Sequence, residues 1–263
     1  MVVCGDSMEL NRDYESAAIY KWRKKRKKAF VLFICIVGIC FLVTRMVRVE
    51  DKTTVKVHNM HAEQNEKAIR YVASNMIKED PKIAITFDDG PSPAWTPQLL
   101  DGLKERNVKA TFFLIGENAK NNPELVKREA EEGHLIGNHT YHHVEITRVP
   151  DETAQEEILM TNEVITGITG EEVSYMRPPF GVWQKNLERK LDVMPVLWTI
   201  DPLDWTTDNE DEIINKVVTQ AGENDIILLH DCYESSVNAA LRIVDILQKE
   251  GFGFVTVDEL IMN

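Results

Sequence analysis

The sequence predicts an α/β chain: an irregular (β/α) barrel over residues 81–263, preceded by one N-terminal transmembrane helix. Three observations predict it. Apolar runs of strand length alternate with helical patterns from Lys82 to the C terminus. Short polar motifs, DDGP, NHTYHH, RPPFG, DPLDW and HD, follow the strand runs rather than the helices. A continuous apolar run also stands directly behind a basic one near the N terminus.

Residues 1–28 form a basic tail ending in KWRKKRKK, which places it on the cytoplasmic side, and residues 29–43 read AFVLFICIVGICFLV before Thr44 and Arg45. The length of that run falls between a signal-peptide core and a full span. No small-x-small cleavage site follows it, and Ile34 and Ile39, which precede Cys35 and Cys40, do not fit a lipoprotein signal. The expectation is a signal anchor at 29–44 in the cell membrane, single-pass and type II, with the C-terminal part extracellular. A cleaved export signal is the alternative, and it delivers the domain to the same side. Residues 45–80 are polar and mixed in charge, an extracellular stalk in which Ile69, Val72, Ala73 and Met76 recur at helical spacing across 62–77. His58 and His61 in that stalk read as solvated.

From residue 81 the expected order is strand KIAITF, helix 96–106, strand KATFFLIG, helix 117–132, strand HLIGNH and helix 151–167. Strand VSYMR, a short helix at 184–190, strand VMPVLWTI, helix 210–221, strand DIILLH, helix 235–250 and strand FGFVTV complete it. Alternation of this kind implies parallel pairing with right-handed crossovers. Six or seven such units in about 180 residues fit a barrel better than an open sheet, and barrel sites are built from loops at the C-terminal ends of the strands.

The net charge of -13 is unevenly spread. Residues 81–263 carry 33 acidic and 15 basic side chains, a net of -18, against 10 and 15 in residues 1–80. A domain that acidic repels phosphate backbones, which excludes nucleic acid as a partner and favours a neutral or cationic polymer. Only Cys232 of the four cysteines lies in the domain, so it holds neither an internal disulfide nor a CxxC metal site.

Phe87-Asp88-Asp89 ends the first strand run just before Gly90-Pro91. Asp and Gly are also ordinary turn residues, so the pair alone does not distinguish a site from a solvated turn. Where a strand ends, however, adjacent side chains can both face one site, one carboxylate binding a metal while the other takes a proton. His139 and His143 stand four apart in HTYHH, a spacing that lets two imidazoles meet one ion, and with Asp89 they complete a two-histidine, one-aspartate set. Asp88 is then the candidate base, since a carboxylate beside a divalent cation keeps its charge. His134 and His142 read as structural or solvated, and Thr140 as a residue that orients the loop. Arg177 in RPPFG has the rigid fork that holds a carboxylate, on a loop fixed by Pro178 and Pro179. Asp201 and Asp204 in DPLDW suit either a solvated turn or a site, and Trp205 suits either core or a sugar-stacking wall. His230, at the end of DIILLH, is the best candidate general acid.

These residues carry a resemblance. From about Lys82 to Glu259 the chain resembles the polysaccharide deacetylases with the NodB homology domain, carbohydrate esterase family 4: TFDDGP, HTYHH, RPPFG, DPLDW and LLH match five motifs of that family in its order. The resemblance implies that Asp88 is the base, that Asp89, His139 and His143 ligate zinc or a similar ion such as cobalt, nickel or manganese, and that Arg177 tethers the base. It further implies that His230 is the acid, positioned and tuned by Asp204, that the Phe180 backbone amide helps stabilise the oxyanion, and that Trp205 and Leu228 line the pocket for the acetyl methyl. Phe180 departs from the Tyr of many members, and Thr140 replaces Ser. The expected activity is metal-dependent removal of N-acetyl groups from a cell-envelope polysaccharide, peptidoglycan N-acetylglucosamine first, with chitin oligomers, poly-N-acetylglucosamine and O-acetylated xylan as alternatives. A reading of another class is an inactive carbohydrate-binding protein on the same fold.

Overall fold

A computed structural model describes residues 80–184, 187 and 191–262. The expected membrane segment, the stalk and most of the 184–190 helix lie outside the described residues, and among those described no helix is long and apolar enough to cross a membrane.

Seven strands, all parallel, form one sheet. They are β1 (Lys82–Asp88), β2 (Thr111–Leu114), β3 (Leu135–Asn138), β4 (Tyr175–Met176), β5 (Met194–Pro195), β6 (Ile226–His230) and β7 (Gly253–Phe254). The order is β5-β4-β3-β2-β1-β6, with β7 against the start of β1. After β5, Ile200 bridges in parallel to Ile227 of β6. The 194–200 segment therefore bonds to β4 at one end and β6 at the other, and the sheet curls as the barrel expectation requires.

Period two along β1 sorts its side chains. Ile83, Ile85 and Phe87 join the large core that also holds Phe112, Leu114, Ile227 and Leu229 with helical residues such as Leu99, Leu103, Val217, Ile243 and Leu247. Ala84 lies in a separate inner cluster with Phe113, Tyr175, Val196 and Leu260. Thr86 and Asp88 continue that inner row, so the strand's alternation aims Asp88 inward at its C-terminal end. Its register partner on β6 is His230.

The helices are α1 (Thr96–Glu105), α2 (Gly116–Asn121), α3 (Pro123–Glu131), α4 (Asp151–Thr169), α5 (Glu210–Val218), α6 (Glu234–Lys249) and α7 (Val257–Met262). Expectation and structure differ at three places. The single helix expected over 117–132 is two, because Pro123 restricts Asn122 (φ -133°, ψ 55°) to a non-helical conformation and itself starts α3. The strand expected in VMPVLWTI contracts to β5 and the Ile200 bridge, and the last strand gives way to α7 after Phe254. By contrast α4 ends where Gly170 (φ 78°) supplies a left-handed cap, and α5 starts where the Asn209 side chain accepts from the Glu212 amide.

Glu129 of α3 is fully buried, and neither carboxylate oxygen has a hydrogen-bond partner. Burial, reinforced by nearby Asp231, raises its pKa well above the carboxylate range. The folded state then holds a proton that the unfolded chain has released, so stability falls as pH rises from the ordinary glutamate value. Glu129→Gln removes that titration. Melting at pH 8 should rise by about 2–4 °C, the shift that ~1 kcal/mol gives a domain of this size, with a smaller gain at pH 5. An equal effect at both pH values would show that Glu129 does not titrate in this way.

Candidate active site

The inner row of β1 leads to Asp88, which is almost fully buried. Its Oδ1 accepts from Arg177 Nη1 at 2.8 Å. The same nitrogen donates to Thr86 Oγ1 at 2.6 Å, and the Thr86 hydroxyl donates in turn to the Ile227 carbonyl at 2.7 Å. Arg177 is wholly buried, and its other nitrogens reach the carbonyls of Val196 and Leu197 while its plane lies 4.3 Å from the Phe113 ring centroid. The β1 end and the RPPFG loop are locked together through this one guanidinium.

Asp89 points elsewhere because its backbone is left-handed, φ 73°, which ends the strand's alternation. Its Oδ1 lies 3.4 Å from both His139 Nε2 and His143 Nε2, and this buried oxygen has no hydrogen-bond partner. The ligand atoms of Asp89, His139 and His143 all fall within 4.8 Å of one another. His139 Nδ1 lies 2.6 Å from the Arg177 carbonyl. A carbonyl only accepts, so Nδ1 carries the proton and Nε2 turns a lone pair toward Asp89, the arrangement typical of a metal-ligating imidazole. An orphaned carboxylate oxygen and two imidazole nitrogens converging on one point fit a divalent cation, and the mixed nitrogen and oxygen donors suit zinc and its first-row neighbours. Burial works against ionisation of Asp89; protonated imidazoles, His139 foremost, outweigh it and bring its pKa to about 2, and a cation in the place of those protons acts in the same direction. Burial pushes His143 below the usual histidine value.

His230 faces Asp88 across the β1–β6 ladder. Its Nδ1 lies 2.8 Å from Asp204 Oδ1, while Asp204 Oδ2 accepts from the His230 backbone amide at 2.8 Å. Burial disfavours the imidazolium, yet the Asp204 hydrogen bond and charge, with Asp88 and Asp89, raise the pKa to about 9. Asp204 is buried and opens a short 3-10 turn (Asp204–Thr206); Asp201 Oδ1 accepts from the Leu203 amide just before it, an Asx turn that sets the approach. Of the two acids in DPLDW, one faces the site and the other shapes the turn.

Phe180 is half exposed, and its ring centroid sits 4.9 Å from that of His143. Trp205 is 54% exposed, which rules out the core alternative. Leu228 lies on the inner row of β6, two residues before His230, and is buried. Outside the trio, His134 Nδ1 accepts from the Ala110 amide, and half-exposed His142 pairs with Glu157 at 2.8 Å.

Sequence reasoning missed three supports. Thr86 was signalled only by being a polar residue two before Asp88 on an inward row. Glu157 accepts from the amides of Tyr141 and His142 and so fixes the histidine loop, but nothing in its helical surroundings marks it. Asn118 donates to the Asp89 carbonyl at 2.8 Å, again without local signal. Thr140, expected to orient the loop, does accept from the Val144 amide. Asp89, Thr140, His143, Phe180 and Leu203 all adopt positive φ, five of seven non-glycine cases among the described residues. Backbone strain concentrates where side chains are aimed into the site.

Comparison with known proteins points to one family. The polysaccharide deacetylase profile matches residues 75–196. A peptidoglycan-N-acetylglucosamine deacetylase of Bacillus cereus is 39% identical over 186 residues, covering 68% of this chain and 68% of its own. The peptidoglycan-N-acetylglucosamine deacetylase PgdA of Listeria monocytogenes is 37% identical over 216 residues, 80% of this chain and 46% of its own, so the chain spans about half that relative's length. Among solved structures, peptidoglycan deacetylase PdaC from Bacillus subtilis superposes with a TM-score of 0.68 at 38% identity, over 70% of this chain and 91% of that one. With the fold, the motif order and these relatives in agreement, the chain belongs to the polysaccharide deacetylase family.

Proposed function

We propose that this protein is a metal-dependent hydrolase that removes N-acetyl groups from a cell-envelope polysaccharide, with peptidoglycan N-acetylglucosamine as substrate. The observation that carries the reading is the convergence of Asp89, His139 and His143 beside a buried Asp88 whose Oδ1 is occupied by Arg177. The activities for which the Bacillus and Listeria relatives are named support the choice of sugar polymer. The basic run at 21–28 and the apolar run at 29–43 support a membrane-anchored, type II placement with the domain outside the cell.

Asp89, His139 and His143 would hold a divalent cation, which when bound would supply Lewis-acid activation of water and of the scissile carbonyl. Arg177 holds Asp88 Oδ1, which turns Oδ2 toward His139, 3.8 Å from its Nε2, and leaves that oxygen to take the proton of the attacking water. His230, charged at neutral pH, gives a proton to the departing nitrogen as the amide C–N bond breaks, and Asp204 keeps its ring oriented and steadies the positive charge. The backbone amide of Phe180 is assigned to the developing oxyanion, and Trp205 and Leu228 to the acetyl methyl. The products are a free amine on the sugar and acetate; Asp88 and His230 return to their starting states by exchange with solvent.

The test is acetate release by the protein from purified peptidoglycan, chitin oligomers, poly-N-acetylglucosamine and acetylxylan. Peptidoglycan should give the fastest release, abolished by a chelator and restored by zinc or cobalt. No release from any of the four with metal replete would overturn the enzyme reading in favour of a binding protein on this fold.

A further inference from the structure

Asp89 can serve the trio only while its backbone stays left-handed, a conformation unfavourable for a non-glycine residue that persists only where its surroundings impose it. On one side the loop is held by β2 and α2. Asn118 donates to the Asp89 carbonyl, and the Ile115 amide donates to the Gly90 carbonyl at 3.2 Å. On the other side stands Asp231, which follows His230 and is fully buried. A Cβ placed on Gly90 would lie 2.5 Å from Asp231 Oδ1 and 2.7 Å from Oδ2, so the carboxylate rests directly on the glycine Cα. Asp231 Oδ2 accepts from the Thr96 hydroxyl, and Thr96 Oγ1 accepts in turn from the Ser92 amide at 2.7 Å. Gly90 and Ser92 thus meet one buried carboxylate, directly and through one hydroxyl.

This is a costly arrangement for packing alone. Asp231 Oδ1 has no hydrogen-bond partner, and Asp231 stands close enough to the equally buried Glu129 to add to the effect of burial on that side chain. No cation faces Asp231 in any described hydrogen bond or ion pair. An apolar residue would fill the space at lower cost. The metal chemistry assigned above gives the carboxylate a use.

We propose that Asp231, acting through Gly90 and the Thr96 hydroxyl, is a positioning residue that fixes the loop carrying Asp88 and Asp89 in its ion-binding conformation. The inference rests on the metal-dependent reading of the trio. It also explains why glycine is required at position 90, since any side chain there collides with the carboxylate.

The experiment measures zinc affinity by chelator competition, beside kcat and KM for acetate release, in the wild type, Asp231→Ala, Asp231→Asn and Thr96→Val. Asp231→Ala should weaken zinc binding and lower kcat by about 10–100-fold, the range seen when groups supporting metal ligands are removed, with KM within about twofold. Asp231→Asn keeps the size and an acceptor for Thr96, and should recover most of both. Thr96→Val removes the hydroxyl that joins Asp231 to Ser92 and leaves the carboxylate resting against Gly90, and it should fall between. Folded Asp231→Ala that binds zinc as tightly as the wild type overturns the proposal; if that variant does not fold, wild-type zinc affinity in Thr96→Val overturns it. The zinc arm is independent of substrate, so failure of the wild type to release acetate would count against the deacetylase reading and leave this result standing.

Discussion

Asp88→Asn should lower acetate release by about a thousandfold, within the range typical of losing a general base, while zinc affinity stays within about threefold of the wild type. Asparagine keeps the oxygen that accepts from Arg177 Nη1, so the bond at 2.8 Å survives, but the second oxygen becomes an amide nitrogen that cannot take a proton. The neighbouring change has the opposite signature. Asp89→Asn replaces the orphaned anionic oxygen that stands 3.4 Å from both imidazoles, and should weaken zinc binding by more than a hundredfold, beyond the 10–100-fold expected for a supporting group. Chelator competition and acetate release on both variants separate the two roles. Equal zinc loss in the pair would mean that the carboxylates are not divided as the geometry divides them.

That division shows what the sequence carries and what it leaves out. The alternation of KIAITFD puts Asp88 on the inner row, and the apolar pattern of DIILLH puts His230 opposite it, because one face of each strand must meet the helices. The four-residue spacing of His139 and His143 likewise yields adjacent rings, with centroids 4.9 Å apart. The separation of Asp88 from Asp89 was not legible from period two. It depends on a left-handed residue held by Asn118 and Ile115 from distant elements, and no local propensity announces such a hold. The same limit hid Glu157 and Asp231, whose importance lies in what folds against them. It also blurred the helix over 117–132, where the apolar periodicity runs through but Pro123 does not allow one continuous ladder. Pattern fixes the faces of elements well; the supports of a site come from chain segments tens of residues away.

Arg177 is where fold and site meet most tightly, and its replacement should be the most damaging to stability. The guanidinium is fully buried, donates to Asp88, Thr86 and two carbonyls, and lies against Phe113. Methionine in its place leaves a buried carboxylate without its charged partner, a loss on the order of 3–5 kcal/mol. Lysine keeps the charge but not the fork, so it can satisfy Asp88 only by abandoning the carbonyls of Val196 and Leu197. Arg177→Lys should therefore retain the fold at reduced stability and lose at least about tenfold in kcat, since Asp88 Oδ2 is no longer aimed by a rigid partner. Urea unfolding of Arg177→Met alone and combined with Asp88→Asn tests the charge argument. Once asparagine has removed the buried negative charge, the methionine should cost less, with a coupling of about 1–3 kcal/mol between the two sites. Strict additivity would mean that Arg177 stabilises the protein through its packing and carbonyl contacts alone, and that its bond to Asp88 serves the chemistry without holding the fold.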